Sequence, residues 1–425
     1  MKRGKGQLTV SSWRRGGGSK HSKRVDPKKS VLVLVSRDID NPRRAGGDRH
    51  VQLLAELLAN KGLHVTIVCS SHPTLSRYET HETMTIIRLA PLELLSPHVW
   101  LMLILRRFGK FDFVIEEMIG ANRVPFMAPL FTAVPVVGFW YQDNREIIRA
   151  TYGRLSAFLV PIQSLVLRIH ARCNIVCPSQ DSQAWLETQG LSPRQIAVFY
   201  ASADPGRLAN SSKRFSERAD LLVVIGNIRR LKRFEFAIDM LSAIRKHRPE
   251  CRLKVIGRSD DEGYLRELRS RGDREDVRGH VDFEIQISDQ RKYDILASAK
   301  ALVICSVKEG FGLTIVEAGL CGTPCIVNRG VPEEAYRHGG SGLRVDTEIP
   351  EAFAEAYLSL AGDEDYWARL SSEAVRMSAA FLYPRMNVAM SKLVENMATS
   401  TSNALLRDTS NAFKPGKDDI PRGGD

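Results

Sequence analysis

Residues 301–324 read Ala-Leu-Val-Ile-Cys-Ser-Val-Lys-Glu-Gly-Phe-Gly-Leu-Thr-Ile-Val-Glu-Ala-Gly-Leu-Cys-Gly-Thr-Pro. Apolar residues 301–305 predict a buried strand, the Gly310-Phe-Gly312 sequence predicts a turn, and the pattern from Leu313 to Gly319 is that of a helix. The first N–H groups of a helix lack intrahelical partners and bind anions or hydroxyl groups. The stretch therefore predicts a ligand-binding strand–turn–helix unit.

Two acidic residues lie in this unit. Glu309 precedes the turn and Glu317 lies on the helix. Two carboxylates placed in this way are able to accept hydrogen bonds from two polyol groups of one ligand. The alternative is one solvated acid and one ordinary acid on a helix surface, and the spacing alone leaves both interpretations open.

Similar units continue on both sides of this stretch. Strand 31–35, helix 51–58 and strand 64–69 form a βαβ unit with parallel strands. A second series begins with strand 221–225 and helix 234–246. Further strands are predicted at 85–89, 113–116, 134–138, 174–177, 253–256 and 324–327.

Two series of this kind in 425 residues predict an α/β protein of two facing, doubly wound Rossmann-like domains with a C-terminal helical segment. The polar stretch at 203–220 is the predicted linker. Ligands of such sheets bind beyond the carboxyl ends of the strands, so the site is expected between the domains. The predicted parts are a disordered basic tail at 1–30, domains at 31–205 and 206–380, a helix at 381–398 that packs back on the N-terminal domain, and a disordered tail at 399–425.

The basic charge is concentrated in the first segment. The formal net charge is +12, and residues 1–30 carry ten lysines and arginines against Asp26 alone. This tail is interpreted either as an electrostatic tether to anionic lipid or nucleic acid, or as a solvated extension without a partner. Because only the tail favours nucleic acid, we do not expect the protein to bind nucleic acid.

The cysteines and the apolar segments indicate the compartment. Seven cysteines without a Cys-x-x-Cys pair predict buried thiols and a reducing, cytoplasmic location. No apolar run reaches the length that spans a bilayer. Segments 99–107 and 155–172 mix aliphatic and basic residues. They fit either a surface that lies against the inner face of a membrane or core-facing helices with a solvated basic edge.

The strand–turn–helix unit also carries a family resemblance. Glu309-Gly-Phe-Gly-Leu, Glu317-Ala and Gly322-Thr-Pro together resemble the signature of the family 4 retaining glycosyltransferases, which have the GT-B fold. The similarity extends from residue 31 to about 395, and it includes the loop at 40–47 and Val176-Cys-Pro-Ser179. The resemblance implies that the N-terminal domain binds the acceptor and the C-terminal domain binds a nucleotide-sugar donor.

The resemblance also implies roles for individual residues of the donor site. Glu309 would contact the donor sugar and Glu317 the ribose hydroxyls, while Gly46-Gly47 would approach the diphosphate from the opposite domain. The remaining implied donor residues are the turn residues Gly310, Phe311, Gly312 and Leu313 and the Gly257-Arg258 pair near the nucleotide.

The diphosphate clamp departs from the family pattern of Gly-Arg followed by Lys. This chain has Gly226-Asn227 and then Lys232, so Asn227 stands where the family has Arg. Arg229 or Arg230 is a candidate for the missing positive charge. Such a cation would stabilise the leaving diphosphate. Lys232, Glu309 and Arg229 are therefore the predicted catalytic residues.

Two further departures concern the acceptor side and the sheet of the second domain. Tyr141 stands where the family often has a His, in a segment that also places Arg145 and Glu146 on the acceptor side. Ile285 stands where the family commonly has Gly.

The predicted function is transfer of a sugar from a nucleotide-sugar to an acceptor hydroxyl with retention of configuration. The nucleotide-sugar is a substrate, so no cofactor and no metal ligands are expected. The acceptor is open and includes lipid-linked glycans. Because Asn227 and Tyr141 depart from the family pattern, the alternative is a catalytically silent GT-B protein that acts as a binding or scaffold subunit.

Overall fold

The computed structural model describes residues 29–43, 46–81, 83–119, 124–203, 213–259 and 261–382. The predicted tails at 1–30 and 399–425 and the predicted helix at 381–398 lie outside this range, apart from residues 29–30 and 381–382. Most of the predicted linker, residues 204–212, lies outside it as well. No helix among the described residues is long and apolar enough to cross a membrane.

The first half of the described chain forms an eight-stranded sheet in the order β3-β4-β2-β1-β5-β6-β7-β8, parallel except for β3. Its strands are β1 Ser30–Leu34, β2 His64–Ser70, β3 Tyr78–His81, β4 Met84–Ala90, β5 Phe113–Glu117, β6 Val136–Phe139, β7 Asn174–Cys177 and β8 Ile196–Val198. Its helices are α1 Gly46–Asn60, α2 Leu95–Ile104, α3 Arg145–Tyr152, α4 Ser156–Ile169 and α5 Gln180–Thr188.

The second half forms a six-stranded parallel sheet in the order β11-β10-β9-β12-β13-β14. Its strands are β9 Leu221–Ile228, β10 Arg252–Ser259, β11 Val281–Ile285, β12 Ala301–Ile304, β13 Cys325–Asn328 and β14 Gly342–Val345. Its helices are α6 Phe234–Arg245, α7 Glu262–Gly272, α8 Asp289–Ser298, α9 Leu313–Leu320, α10 Pro350–Gly362 and α11 Glu364–Ser378.

Each sheet is covered on both faces because its strands are apolar on both sides. In β1, Val31 and Val33 pack with α1, whereas Leu32 and Leu34 pack with α2 on the other face. Strands buried on both faces belong in the interior of a doubly wound α/β layer. The predicted fold class is therefore confirmed.

The two halves meet through an aromatic cluster as well as through their loops. Tyr200, just after β8, contacts Phe311 and Phe381 with ring centroids 5.6 and 5.4 Å away. Ala203 continues this junction by donating its N–H to the Phe381 carbonyl at 3.1 Å. This contact packs the chain after β8 against the second half.

The cysteines agree with their predicted role. All seven are free thiols, and six of them are buried. Burial raises the pKa of the half-buried Cys173 to about 11 and that of Cys321 to about 12. These thiols are therefore protonated at neutral pH and pack as small apolar side chains.

Candidate functional site

The strand order places the site at the centre of each sheet. The connections run outward in opposite directions from β1 and β5 in the first sheet and from β9 and β12 in the second. A crevice opens at such a reversal, beyond the carboxyl ends of the strands. Glu309 and Lys232 follow β12 and β9, so both predicted residues lie at the reversal of the second sheet.

Lys232 and Glu309 contact each other directly. The Lys232 ammonium lies 2.5 Å from Glu309 Oε1, and the same oxygen accepts a hydrogen bond from Ser306 Oγ. The Glu309 N–H donates to the Gly330 carbonyl at 2.9 Å, which fixes the loop after β12. The sequence placed these groups 77 residues apart, and the pairing of β9 with β12 brings them together.

Glu317 lies in a second ion pair. Its Oε1 accepts a hydrogen bond from Lys292 Nζ at 2.7 Å and another from the Tyr293 hydroxyl at 3.4 Å. The Glu317 side chain is largely buried. A carboxylate that accepts a hydrogen bond from a neighbouring ammonium group is held in a fixed orientation.

A cleft of about 550 Å³ opens between the two domains. This volume is within the range of small-ligand pockets. Four arginines and two glutamates line the cleft, so its lining is polar and basic. The lining residues are Arg37, Pro42, Arg43, His72, Leu92, Glu93, Arg229, Arg258, Ser259, Glu262 and Gln286.

Arg258 bridges this cleft. From the carboxyl end of β10, its guanidinium donates to the Pro42 carbonyl at 2.6 Å and the Arg43 carbonyl at 2.8 Å. Arg37 donates to the same Arg43 carbonyl at 2.7 Å. Arg258 thereby holds the loop after β1 against the second domain, whereas Arg37 fixes that loop within its own domain.

Asn227 and the two basic candidates of the clamp differ in their surroundings. Asn227 lies beside Arg258 in the β9–β10 pairing. Arg229 lines the cleft. Arg230 pairs with Glu267 at 2.7 Å, and its side chain is 62 % exposed. Of the two alternatives left open by the sequence, Arg229 is therefore the one that faces the crevice.

Gly257 on β10 and Gly310 in the turn before α9 permit close approaches. A Cβ on Gly257 would lie 1.9 Å from the Gly226 carbonyl oxygen, so this position accepts no larger residue. A Cβ on Gly310 would lie 2.6 Å from the carbonyl oxygen of Tyr141 in the other domain. The turn before α9 is therefore in contact with the N-terminal domain.

The turn residues have two kinds of surroundings. Gly312 is the N-cap of α9 and Leu313 its first residue, so the N–H groups of this turn lie at a helix N-terminus, as the sequence predicts. The Phe311 side chain is buried between Tyr200 and Phe381. Packing of this ring anchors the turn.

Tyr141, a predicted acceptor-side residue, contacts the start of α1. Its hydroxyl donates to the Gly47 carbonyl at 2.9 Å, and Gly46 and Gly47 are the first residues of α1. Burial, with the nearby Glu117 carboxylate, raises the pKa of Tyr141 well above its usual value. The hydroxyl therefore stays protonated and holds the glycine pair in position.

A buried carboxyl group lies near Tyr141. Glu117, at the carboxyl end of β5, accepts hydrogen bonds from the Ser36 hydroxyl and, at 2.7 Å, from the Ser36 N–H. Burial raises the pKa of Glu117, although these hydrogen bonds oppose the shift. The pair fixes the chain where it leaves β1.

Arg145 and Glu146 begin α3, which lies beside the 230–232 turn that carries Lys232. Arg145 pairs with Asp143 at 2.8 Å and stacks over Trp185 at 5.0 Å. Glu146 is exposed. The acceptor-side candidates thus lie next to the turn of the second domain, and Arg145 is engaged by its own domain.

Several residues around the site were not predicted. Lys292, Tyr293 and Ser306 contact the two motif glutamates, and Arg37 and Arg43 line the cleft. No spacing signal links Lys292 to Glu317, since α8 and α9 meet only through the fold. The two arginines lie in the loop after the first strand. The richness of this loop in glycine and arginine was the sequence feature that could have pointed to them.

Two family models match the chain in succession. The model described as Glycosyltransferase Family 4 matches residues 44–207, and the model described as Glycosyl transferases group 1 matches residues 208–377. The chain is also 27 % identical over 215 residues to a D-inositol 3-phosphate glycosyltransferase of Rhodococcus jostii, covering 48 % of each protein. The matches span about half the length of the first such relatives.

Solved structures of other proteins share the whole architecture. Sucrose-phosphate synthase from Thermosynechococcus elongatus superposes with a TM-score of 0.73 at 17 % identity, over 87 % of this chain and 99 % of the other. HepE of Anabaena in complex with UDP-glucose gives a TM-score of 0.68 at 17 % identity, over 86 % and 99 %. These similarities show the GT-B arrangement of the two domains.

Proposed function

The chain belongs to the family 4 glycosyltransferases of the GT-B fold, and on this premise we propose that it transfers a sugar from a nucleoside-diphosphate sugar to an acceptor hydroxyl. The observation that carries this proposal is the pairing of Lys232 with Glu309 at the point where the strand connections reverse. This pairing places an ammonium group that is suited to bind a diphosphate next to a carboxylate that is able to accept hydrogen bonds from sugar hydroxyl groups.

The basic cleft supports a nucleotide donor. Its four arginines present positive charge to a ligand that carries two phosphates, and its volume of about 550 Å³ fits such a molecule. The fold neighbour HepE is described in complex with UDP-glucose. The nucleotide would lie between Arg258 and Gln286 on one side and the loop after β1 on the other.

Each of the site residues would have its own role in sugar transfer. Glu317 would hold the ribose hydroxyls, Glu309 would orient the sugar, and Lys232 with Arg229 would stabilise the charge that develops on the leaving diphosphate. The acceptor oxygen would form its bond to the anomeric carbon on the face that the diphosphate leaves. Bond formation on that face would give retention of configuration. The proton of the acceptor hydroxyl would pass to the departing phosphate oxygen as the bond between the anomeric carbon and that oxygen breaks.

Thermal unfolding in the presence of UDP, GDP, ADP and their sugar conjugates tests the donor site. A ligand bound only by the folded protein raises the melting temperature by mass action. We expect one nucleotide to raise it and the Glu317→Ala variant to lose the shift. Absence of a shift with every nucleotide would contradict the donor site.

A second measurement tests chemistry rather than binding. We expect slow hydrolysis of the bound nucleotide-sugar, and faster release of the nucleotide when an acceptor is supplied. The configuration of the product, read by NMR of the anomeric proton, tests retention. Donor binding without hydrolysis or transfer, across acceptors that include lipid-linked ones, would favour the silent binding subunit instead.

A further inference from the structure

One face of the N-terminal sheet carries an unusual number of exposed apolar side chains. They lie on α2 and its ends, on α4 and its start, and on the short turn between β5 and β6. Phe158 is 77 % exposed, Leu155 63 % and Ile104 61 %. We call this set the apolar face; its members are Leu94, Leu101, Ile104, Leu105, Leu130, Leu155, Phe158, Ile162 and Leu165.

The two helices lie on the same side of the sheet. The buried side of α2 packs on Leu32 and Val114, and the buried side of α4 packs on Ile175. The strand register places Leu32, Val114 and Ile175 on one sheet face. The apolar face is therefore the outer surface of a single layer.

The turn at 128–130 joins the helices into a continuous surface. Trp100 of α2 stacks on Phe131, directly after the turn, with ring centroids 5.5 Å apart. The Ala128 N–H of the turn donates to Glu116, which also contacts His170 at the end of α4. Leu130 is exposed on this turn, which lies between the two helices in the order of the chain. A contiguous apolar patch of this kind marks an interaction surface.

The charges around the apolar face determine the kind of partner. Segments 94–110 and 153–172 contain no Asp or Glu, whereas both contain lysines or arginines. The basic side chains flank the apolar stripes at their ends. They are Arg106, Arg107 and Lys110 beside α2 and Arg154, Arg168 and Arg172 beside α4.

We infer that the apolar face lies on an anionic lipid bilayer, with its leucines, Ile104, Ile162 and Phe158 in the acyl region and the flanking basic residues at the head groups. An apolar surface with a basic border fits such an interface. The inference does not rest on the transfer reaction. It names where the N-terminal domain would meet an acceptor if that acceptor is lipid-linked.

The test is co-sedimentation of the full chain with vesicles of phosphatidylcholine and of an equimolar mixture of phosphatidylcholine and phosphatidylglycerol. We expect binding to the mixed vesicles and little to the neutral ones. Phe158→Ser with Leu165→Ser should weaken this binding by about tenfold or more, since two apolar side chains that would be buried in the bilayer are lost. Ile349→Ser, which alters an exposed apolar residue of the other domain, should not weaken it.

Vesicle binding at raised salt distinguishes the contribution of the apolar face from that of the basic segment at 1–30. Charge contacts weaken with salt, but apolar burial persists. We expect the wild-type chain to retain part of its vesicle binding at raised salt and the double variant to lose it. The inference is overturned if wild type does not sediment with mixed vesicles, or if the double variant binds as wild type does. It is also overturned if the double substitution only converts a dimer to a monomer, since the face would then join two copies.

Discussion

Lys232 Nζ lies 2.5 Å from Glu309 Oε1, so the predicted diphosphate cation and the predicted sugar-binding carboxylate form one ion pair. Both side chains are partly shielded from water, and Ser306 donates to the same carboxylate oxygen. Under the proposed function, this ion pair would orient both groups before a donor binds. A diphosphate would draw the ammonium toward itself and leave Glu309 available to sugar hydroxyl groups.

Replacing Lys232 should impair catalysis far more than folding. We expect Lys232→Met to lower the transfer rate about a hundredfold to a thousandfold, because the leaving diphosphate loses its nearest cation. The measurement is kcat for release of nucleotide in the presence of an acceptor. Lys246→Met, which removes an exposed lysine at the end of α6, is the matched control and should keep wild-type activity.

The double variant Lys232→Met with Glu309→Gln separates charge balance from chemistry. Removing both partners leaves no unpaired charge, so its melting temperature should lie nearer to wild type than that of Lys232→Met alone. Its transfer rate should remain low. Near-normal turnover in Lys232→Met would remove Lys232 from the proposed mechanism, and near-normal turnover in the double variant would remove both residues.

Arg229 and Arg230 should differ in their effect on donor binding. Arg229 lines the cleft, whereas Arg230 pairs with Glu267 on the surface. We expect Arg229→Gln to raise the donor dissociation constant by about tenfold, as for loss of one charged hydrogen bond. Arg230→Gln should raise it less. Titration calorimetry with the nucleotide measures both, and the reverse order would assign the clamp to Arg230.

Much of the fold was predictable because its central strands are apolar on both sides. The strand predicted at 31–35 is Ser30–Leu34, and the helix predicted at 313–319 is Leu313–Leu320. The edge strands Tyr78–His81 and Ile196–Val198 were not predicted. Tyr78–His81 is exposed along most of its length, so it carries no buried apolar pattern. Ile196–Val198 is apolar and mostly buried, but three residues are too few to predict a strand.

The site was predictable only where a local motif carries it. Glu309, Gly310 and Gly312 lie on one turn, so a single stretch of sequence identifies them. Lys292 meets Glu317 from another helix, and Arg258 meets the loop at 42–43 across the domain interface. Such contacts depend on how helices and domains pack, which short-range patterns do not encode.

The ion pair of Lys292 and Glu317 should support nucleotide binding. We expect Glu317→Ala to abolish the thermal shift caused by the nucleotide and Lys292→Met to reduce affinity by about tenfold, since Glu317 loses the contact that orients it. Asp239→Ala breaks a comparable ion pair on α6 and is the control, with unchanged affinity expected. A Lys292→Met variant that binds as tightly as wild type would leave Lys292 with a structural role only.

His50 should make the fold sensitive to acid. It is buried against Phe199 with ring centroids 4.2 Å apart, and burial lowers its pKa to about 3. The unfolded chain takes up this proton near the ordinary pKa of 6.5, whereas the folded protein does not. The free energy of unfolding therefore falls as pH decreases from about 6.5 toward about 3, by up to about 1.4 kcal/mol per pH unit from this group.

Denaturant unfolding at a series of pH values tests this. In His50→Leu, the free energy of unfolding should fall less steeply between about pH 6 and pH 4 than in wild type. The comparison uses the slope, since loss of the ring contacts also changes stability at neutral pH. His64→Leu alters an exposed histidine at the start of β2 and should keep the wild-type slope. Equal slopes in His50→Leu and wild type would show that His50 is protonated in the folded protein.

Gly310 tests whether the contact between the domains matters for transfer. In Gly310→Ala, the new Cβ would lie 2.6 Å from the Tyr141 carbonyl oxygen, so the domains must separate slightly. The C-terminal domain itself should stay intact, because the backbone of Gly310 is not in the left-handed region. We expect transfer to fall about tenfold to a hundredfold, as for misplacement of reacting groups. The radius of gyration in solution should increase.

Gly362→Ala is the matched control, since its Cβ would meet nothing within 4 Å and its backbone is also outside the left-handed region. That variant should retain wild-type transfer and scattering. If Gly310→Ala has an enlarged radius of gyration but unchanged transfer, the contact between Gly310 and Tyr141 belongs to a resting arrangement. If transfer falls and the radius of gyration increases, transfer takes place in the arrangement in which Gly310 contacts Tyr141. The small size of Gly310 then determines how closely the two domains approach.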